Sequence, residues 1–256
     1  MTKIALSLAA ALMMTGAAMA ETVKVGIAAE PYPPFASPDA AGAWTGWEVD
    51  MIGAVCKAAE MECEIVPVAW DGIIPSLTSG QIDAIMASMS ITEERLKTID
   101  FSDKYYNTPT VIVGPKGMDM AATPEGLAGK IIGVQVSTIH EAYVQKHFAA
   151  TAAEVKLYQT QDEANQDLIA GRIDATQADS IALDAFLASA EGMACCESKG
   201  AVADDTEILG LGVGVGLRKG EDDLKAKFNA GIAKILADGT YEAVSKPYFA
   251  SSIYGG

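Results

Sequence analysis

LTSGQIDA, residues 77–84, returns as LIAGRIDA, residues 168–175. Both copies spell L-x-x-G-x-I-D-A, with Leu77, Gly80, Ile82, Asp83 and Ala84 matched by Leu168, Gly171, Ile173, Asp174 and Ala175. In each copy the glycine stands where a helix ends in the left-handed conformation and a buried strand begins. The flanking order of elements repeats as well. Upstream of the first copy lie TVKVGI, a helical pattern near residues 48–60, EIVPV and a short helix near 72–78, and the copy leads into the extended run QIDAIMAS. Upstream of the second lie KIIGVQV, a helix over about 139–148, VKLYQT and a helix near 162–170, leading into RIDATQA. Strands alternating with helices predict an α/β fold with mostly parallel sheets, and the duplication predicts two similar lobes.

Past the second copy, GLGVGVGLRKG (210–220) precedes a helix near 222–236. Its glycines at every second position mimic a dinucleotide fingerprint, but no helix follows at once and no βαβ unit lies beyond it. The run is better read as a strand approached closely by another backbone, and a candidate to cross between the lobes.

Residues 1–20, MTKIALSLAAALMMTGAAMA, carry one cation, Lys3, an apolar run from Ile4 to Met14, and small residues at Ala18 and Ala20. This is the pattern of a cleaved secretory signal peptide, with Glu21 as the mature N-terminus. The apolar run is too short to span a bilayer core of about 30 Å. Cleavage removes Lys3 alone among the charges, taking the formal net charge from −16 to −17, a field that repels nucleic acid and anionic membranes. No nucleic-acid partner is expected.

An even count of 4 cysteines suits an oxidising compartment. Cys56 falls late in a helix and Cys63 opens the next strand, so the two can meet across one turn. Cys195 and Cys196 are adjacent, either free or paired with other cysteines. Zinc sites need spaced Cys and His ligands, and with only His140 and His147 available no metal or cofactor is expected.

An amino acid ligand presents a carboxylate, an ammonium and a side chain. In AIMASMSITEER (84–95), Ala87, Met89 and Ile91 face one side of an extended segment and Ser88 and Ser90 the other. Thr92 then caps a helix whose first turn holds Arg95, a planar donor suited to a carboxylate, although a solvated helix arginine is the commoner case. In VQVSTIHEAY (134–143), Ser137 and Thr138 precede a helix whose free N–H groups attract anions. Asp179 ends the second repeated strand, where open α/β sheets place ligands, and is also a potential helix cap. In AAEPYPPF (28–35), Glu30 and Tyr32 lie in a proline-stiffened loop, and Trp70 follows EIVPV. Tyr32 and Trp70 offer flat walls to an aliphatic or cationic side chain. Trp47 reads as core.

Taken together, YPPF, G-W-E-V-D, WDGIIPSLTSGQIDAI, SMSIT-x-x-R, FSDKYY, GRIDA and GVGLRKG resemble the polar amino acid family of periplasmic solute-binding proteins, nearest to lysine/arginine/ornithine, histidine and opine binders. The resemblance spans the whole mature chain. It implies a two-lobed periplasmic binding protein fold of type II, with residues 21–109 and 211–256 in one lobe and 110–210 in the other. It further implies two crossing strands, closure over a ligand, and delivery to an inner-membrane ABC permease by a monomer. By motif, Arg95 and Thr138 hold the carboxylate, Ser88 and Ser90 add polar contacts, Asp179 takes the ammonium, Tyr32 and Trp70 sandwich the side chain, and Cys56 pairs with Cys63. Three departures stand out: Ala29 occupies the place of the lysine-type binders' side-chain aspartate, with Glu30 next to it. Ala87 replaces a serine, and an extra residue between Thr138 and Glu141 leaves Ser137 and Thr138 as alternatives. A cationic ligand is expected if Glu30 reaches the cleft. The competing class is a periplasmic cyclohexadienyl or arogenate dehydratase on the same scaffold, which needs an acid or base in the cleft. Neither histidine lies in a binding motif. A sensor domain is a third class, normally fused to a membrane or signalling segment.

Overall fold

The computed structural model describes residues 22–255; the expected signal peptide at 1–20 lies outside them. Two five-stranded sheets form the framework. The first runs, in spatial order, Cys63–Val68, Val23–Ala28, Ala84–Ile85, Val213–Leu217 and Asp100–Tyr106. The second runs Glu154–Tyr158, Ile131–Gln135, Ala175–Asp179, Thr110–Pro115 and Cys196–Ala201. In each, the first three strands are parallel, the fourth runs antiparallel to them, and the fifth pairs antiparallel to the fourth, so the sheets are more mixed than the sequence suggests. The repeated segment supplies the central parallel strand of each sheet, and it is short in the first lobe because only Ala84–Ile85 stays regular.

The two copies perform the same local task. Gly80 and Gly171 sit at φ 78° and 68°, the left-handed region where a Cβ is costly. Asp83 donates its N–H to the Lys24 carbonyl at 2.8 Å and accepts the Lys24 N–H on Oδ2 at 2.9 Å. Asp174 makes the same pair with Ile131, both at 2.8 Å. Each aspartate therefore pins the start of its lobe's leading strand. Behind it, Ile82 fills the space beside Gly26, and Ile173 lies where a Cβ on Gly133 would stand 2.6 Å from its Cδ1.

The first core gathers Val25, Ile27, Trp47, Met51, Val55, Tyr105, Phe228, Ile232 and Tyr241. The helices Asp222–Ala237 and Thr240–Ser245 thus close this lobe against the helix Trp47–Ala58, with Gly231 allowing close approach to Val55. Cys56 and Cys63 form a disulfide joining that helix to the edge strand. Contrary to the expectation that they are free or paired elsewhere, Cys195 and Cys196 are bonded to each other, at the junction of the helix Ala190–Cys195 and the strand Cys196–Ala201.

The chain passes between the lobes at 107–109 and again at 210–212, after the helix Thr206–Leu209, which packs on the second lobe. The start of the glycine-rich run makes this passage and the rest does not: Val213–Leu217 lies inside the first sheet. The close backbone approach expected there is present at the start of the run, since a Cβ on Gly210 would stand 2.4 Å from the Ile91 carbonyl oxygen. No helix among the described residues is long and apolar enough to cross a membrane.

Candidate functional site

A cavity lies between the lobes, and its walls come from the carboxyl ends of the parallel strands. Glu30 follows the strand Val23–Ala28 by two residues, and Trp70 follows Cys63–Val68 by two. Ser88 and Ser90 follow Ala84–Ile85, while Gln135 and Asp179 are the last residues of their strands in the second lobe. Parallel strands with short turns into helices leave this edge open for a ligand. Of the nine residues singled out in the sequence, eight line the cavity: Glu30, Tyr32, Trp70, Ser88, Ser90, Arg95, Thr138 and Asp179. Ser137 stands at the rim instead, at φ 60°, and offers its carbonyl to Trp70 Nε1 at 3.3 Å and Arg95 Nη2 at 3.5 Å.

On the first lobe, Thr92 caps the helix Glu93–Leu96 by accepting the Arg95 N–H. The Arg95 guanidinium donates to the Ser90 carbonyl at 3.0 Å and lies 5.5 Å from the centre of the Trp70 ring. Burial pushes its pKa down to about 10, with Asp179 acting in the opposite direction. A half-buried cation with unused donors favours an anionic partner. Ala87 and Met89 are buried beneath and Ile91 packs on them, as alternation predicts, but Ser88 breaks the extended run at φ 54°. Both Glu30 oxygens accept the Trp70 N–H, at 3.2 and 3.1 Å, which ties this half-buried residue to the cavity wall.

On the second lobe, the Thr138 hydroxyl accepts the Glu141 N–H and donates to the Gln135 carbonyl at 2.7 Å. Its one proton is committed, which leaves backbone N–H groups at the start of the helix Ile139–His147 to meet an anion. Asp179 is 8 % exposed and makes no side-chain cap of the following helix. Its Oδ2 accepts the Tyr32 hydroxyl of the opposite lobe at 2.7 Å. Burial and the Asp179 charge hold the Tyr32 pKa well above its usual value, which keeps that hydroxyl a donor.

The cavity also contains residues absent from the sequence-based set, chiefly Glu48, Gln135, His140 and Gln161. His140 is buried, with Nε2 3.7 Å from Asp179 Oδ2, so a histidine does enter the cleft. A signal existed for three of them. Glu48, His140 and Gln161 head the buried stripes 48-51-52-55, 140-143-144 and 161-164-165-168 of their helices. A polar residue opening an apolar stripe at a helix N-terminus points at the cleft in this architecture.

Two α/β lobes enclosing a cavity with a half-buried guanidinium on one side and a buried carboxylate across from it define a binding protein for a small zwitterion. Residues 23–251 match the family of bacterial extracellular solute-binding proteins, family 3, and the chain belongs to that family. It is 39 % identical over 234 residues to an L-arginine-binding protein of Pseudomonas aeruginosa, covering 91 % of this chain and 90 % of the relative. It is 38 % identical over 261 residues to a histidine-binding periplasmic protein of Salmonella typhimurium, covering 100 % of both. Among solved structures, an ancestral arginine-binding protein bound to arginine aligns with TM-score 0.81 and 34 % identity over 90 % of this chain and 98 % of its own. These relatives are named as binding proteins rather than enzymes, and the chain is a solute-binding protein rather than a dehydratase.

Proposed function

We propose that this chain captures a cationic amino acid between its lobes in the periplasm and presents it, as a monomer, to an inner-membrane ABC permease. One observation carries the ligand class: the Glu30 carboxylate lines the cavity beside Tyr32 and Trp70. In this reading Arg95 and the backbone N–H groups at Thr138 take the α-carboxylate, with Ser88 and Ser90 as polar neighbours. Asp179 accepts from the α-ammonium, and the side-chain cation lies between the aromatic rings against Glu30. The ligand names of the arginine- and histidine-binding relatives support the same class. Residues 1–20 serve as a cleaved export signal, as the short apolar run and small-residue ending support. Residues 21–109 with 211–256 move as one lobe and 110–210 as the other, a division supported by the sheet memberships.

Calorimetric titration with lysine, arginine, histidine, glutamine and octopine tests the ligand class. Saturable binding of a basic amino acid is expected, with octopine as the bulkier cationic alternative. Binding confined to neutral glutamine would overturn it.

A further inference from the structure

Of the two disulfides, Cys56–Cys63 has an evident structural task, tying the helix Trp47–Ala58 to the edge strand Cys63–Val68 across a sequence separation of 7. Cys195–Cys196 joins residues that a peptide bond already joins. Its sequence separation of 1 constrains the unfolded chain far less. The elements on either side of it are held by their own hydrogen bonds. Ser189 accepts the Gly192 N–H at 3.1 Å and caps the helix Ala190–Cys195. The strand Cys196–Ala201 pairs with Thr110–Pro115 along its length, and the Cys195 carbonyl accepts the Lys116 N–H at 2.9 Å. Opening this bond therefore leaves the surrounding backbone its partners.

The setting also favours attack by a thiolate. Each disulfide has one buried residue, Cys56 or Cys196, and one half-buried residue, Cys63 or Cys195, so access alone does not separate them. Charge does. Cys63 is bracketed in sequence by three exposed carboxylates, Glu60, Glu62 and Glu64, against one exposed cation, Lys57. At the Cys195–Cys196 turn two ammonium groups converge instead. Lys116 Nζ donates to the Met193 carbonyl. Lys199 Nζ donates to the Met118 carbonyl at 2.6 Å and to Glu197 Oε1 at 2.7 Å, which neutralises the acidic neighbour of Cys196. Cations beside a sulfur favour its thiolate, and a leaving thiolate so stabilised departs faster.

We propose that Cys195–Cys196 is a thiol–disulfide exchange site, opened by an extracytoplasmic dithiol protein of the C-x-x-C type while the fold and Cys56–Cys63 stay intact. One partner thiolate attacks Cys195 Sγ, the S–S bond breaks, and Cys196 Sγ leaves as a thiolate that takes up a proton. The partner's second thiolate then attacks the partner sulfur of the mixed disulfide and releases Cys195, which takes up the second proton. Two electrons pass: the Cys195–Cys196 pair becomes two thiols and the partner becomes a disulfide. This site stands apart from the cavity and does not depend on which amino acid is bound there.

The experiment exposes the purified mature protein to a C-x-x-C thioredoxin kept reduced, then alkylates free thiols and maps them by mass spectrometry, with a thermal melt alongside. Labelling of Cys195 and Cys196 should run about tenfold or more faster than labelling of Cys56 and Cys63, with a cooperative melt retained. A thioredoxin lacking its second cysteine should be trapped on Cys195. Both disulfides opening at one rate, no opening, opening only with loss of the melt, or trapping on Cys63 or Cys196 overturns the proposal.

Discussion

At the scale of single residues, the site places charge where water is scarce. Arg95 has one firm acceptor, the Ser90 carbonyl, and its position against Trp70 leaves further donors for a ligand. Removing one partner of a buried charge pair costs about 3 kcal/mol, near the middle of the range for such truncations, so Arg95→Ala should weaken amino acid binding by roughly 150-fold. Titration calorimetry beside a thermal melt checks this, and lost binding with an unchanged melt is the expected pair of results. Away from the site, the Arg172 guanidinium, with Lys156 and Tyr158, holds the Asp167 carboxyl well below the usual carboxylate range. Its folded value lies under the unfolded one of about 3.9, so the ionised group favours the native state above about pH 4. That contribution fades as pH falls through the folded value. Asp205, held low by His147 and Lys146, has the same sign. Wild type should therefore be more stable than Asp167→Asn at neutral pH, with the gap closing in acid melts below about pH 4. A gap constant with pH would contradict this.

At the scale of elements, the duplication was legible because each conserved letter of L-x-x-G-x-I-D-A answers a backbone demand. The glycine turns left-handed, the isoleucine fills the space beside Gly26 or Gly133, and the aspartate clamps Lys24 or Ile131. The loops Glu30–Tyr32 and Ser88–Arg95 could be read for the same reason: short polar and aromatic segments after a strand have few other uses. Less legible were residues whose role depends on a partner far along the chain. Glu48 is spoken for by Ser88 and Tyr105, and His140 is brought within 3.7 Å of Asp179 only by folding. The sheets' antiparallel halves were hidden too, because the strands Thr110–Pro115 and Val213–Leu217 pair with partners set by the two crossings. The Cys56–Cys63 bond spans a sequence separation of 7. By the loop-entropy model its removal costs about 2.5 kcal/mol, so denaturant unfolding of the double alanine variant should show a lower midpoint with binding retained. An unchanged midpoint would assign the bond no stabilising role.

At the scale of the whole molecule, the lobes touch across the cavity. Tyr32 bonds to Asp179, Trp70 and Arg95 reach the Ser137 carbonyl, and Ile181 and Ala182 pack against the first core. Among the described residues, 107–109 and 210–212 connect the lobes covalently, the arrangement of a hinge in which a few residues absorb the motion. A ligand bridging Arg95 and Asp179 favours the closed form by its differential contacts, so small-angle scattering should record a smaller radius of gyration with saturating lysine. The central claim, however, is the orientation of a cationic amino acid in the cavity, and a crystal structure of the lysine complex tests it most directly. The α-carboxylate should lie on Arg95 and the N–H groups at Thr138, the α-ammonium on Asp179, and the side-chain nitrogen between Tyr32 and Trp70 within reach of Glu30. Lysine bound in the reverse direction, with its carboxylate away from Arg95, or bound outside this cavity, would contradict the account.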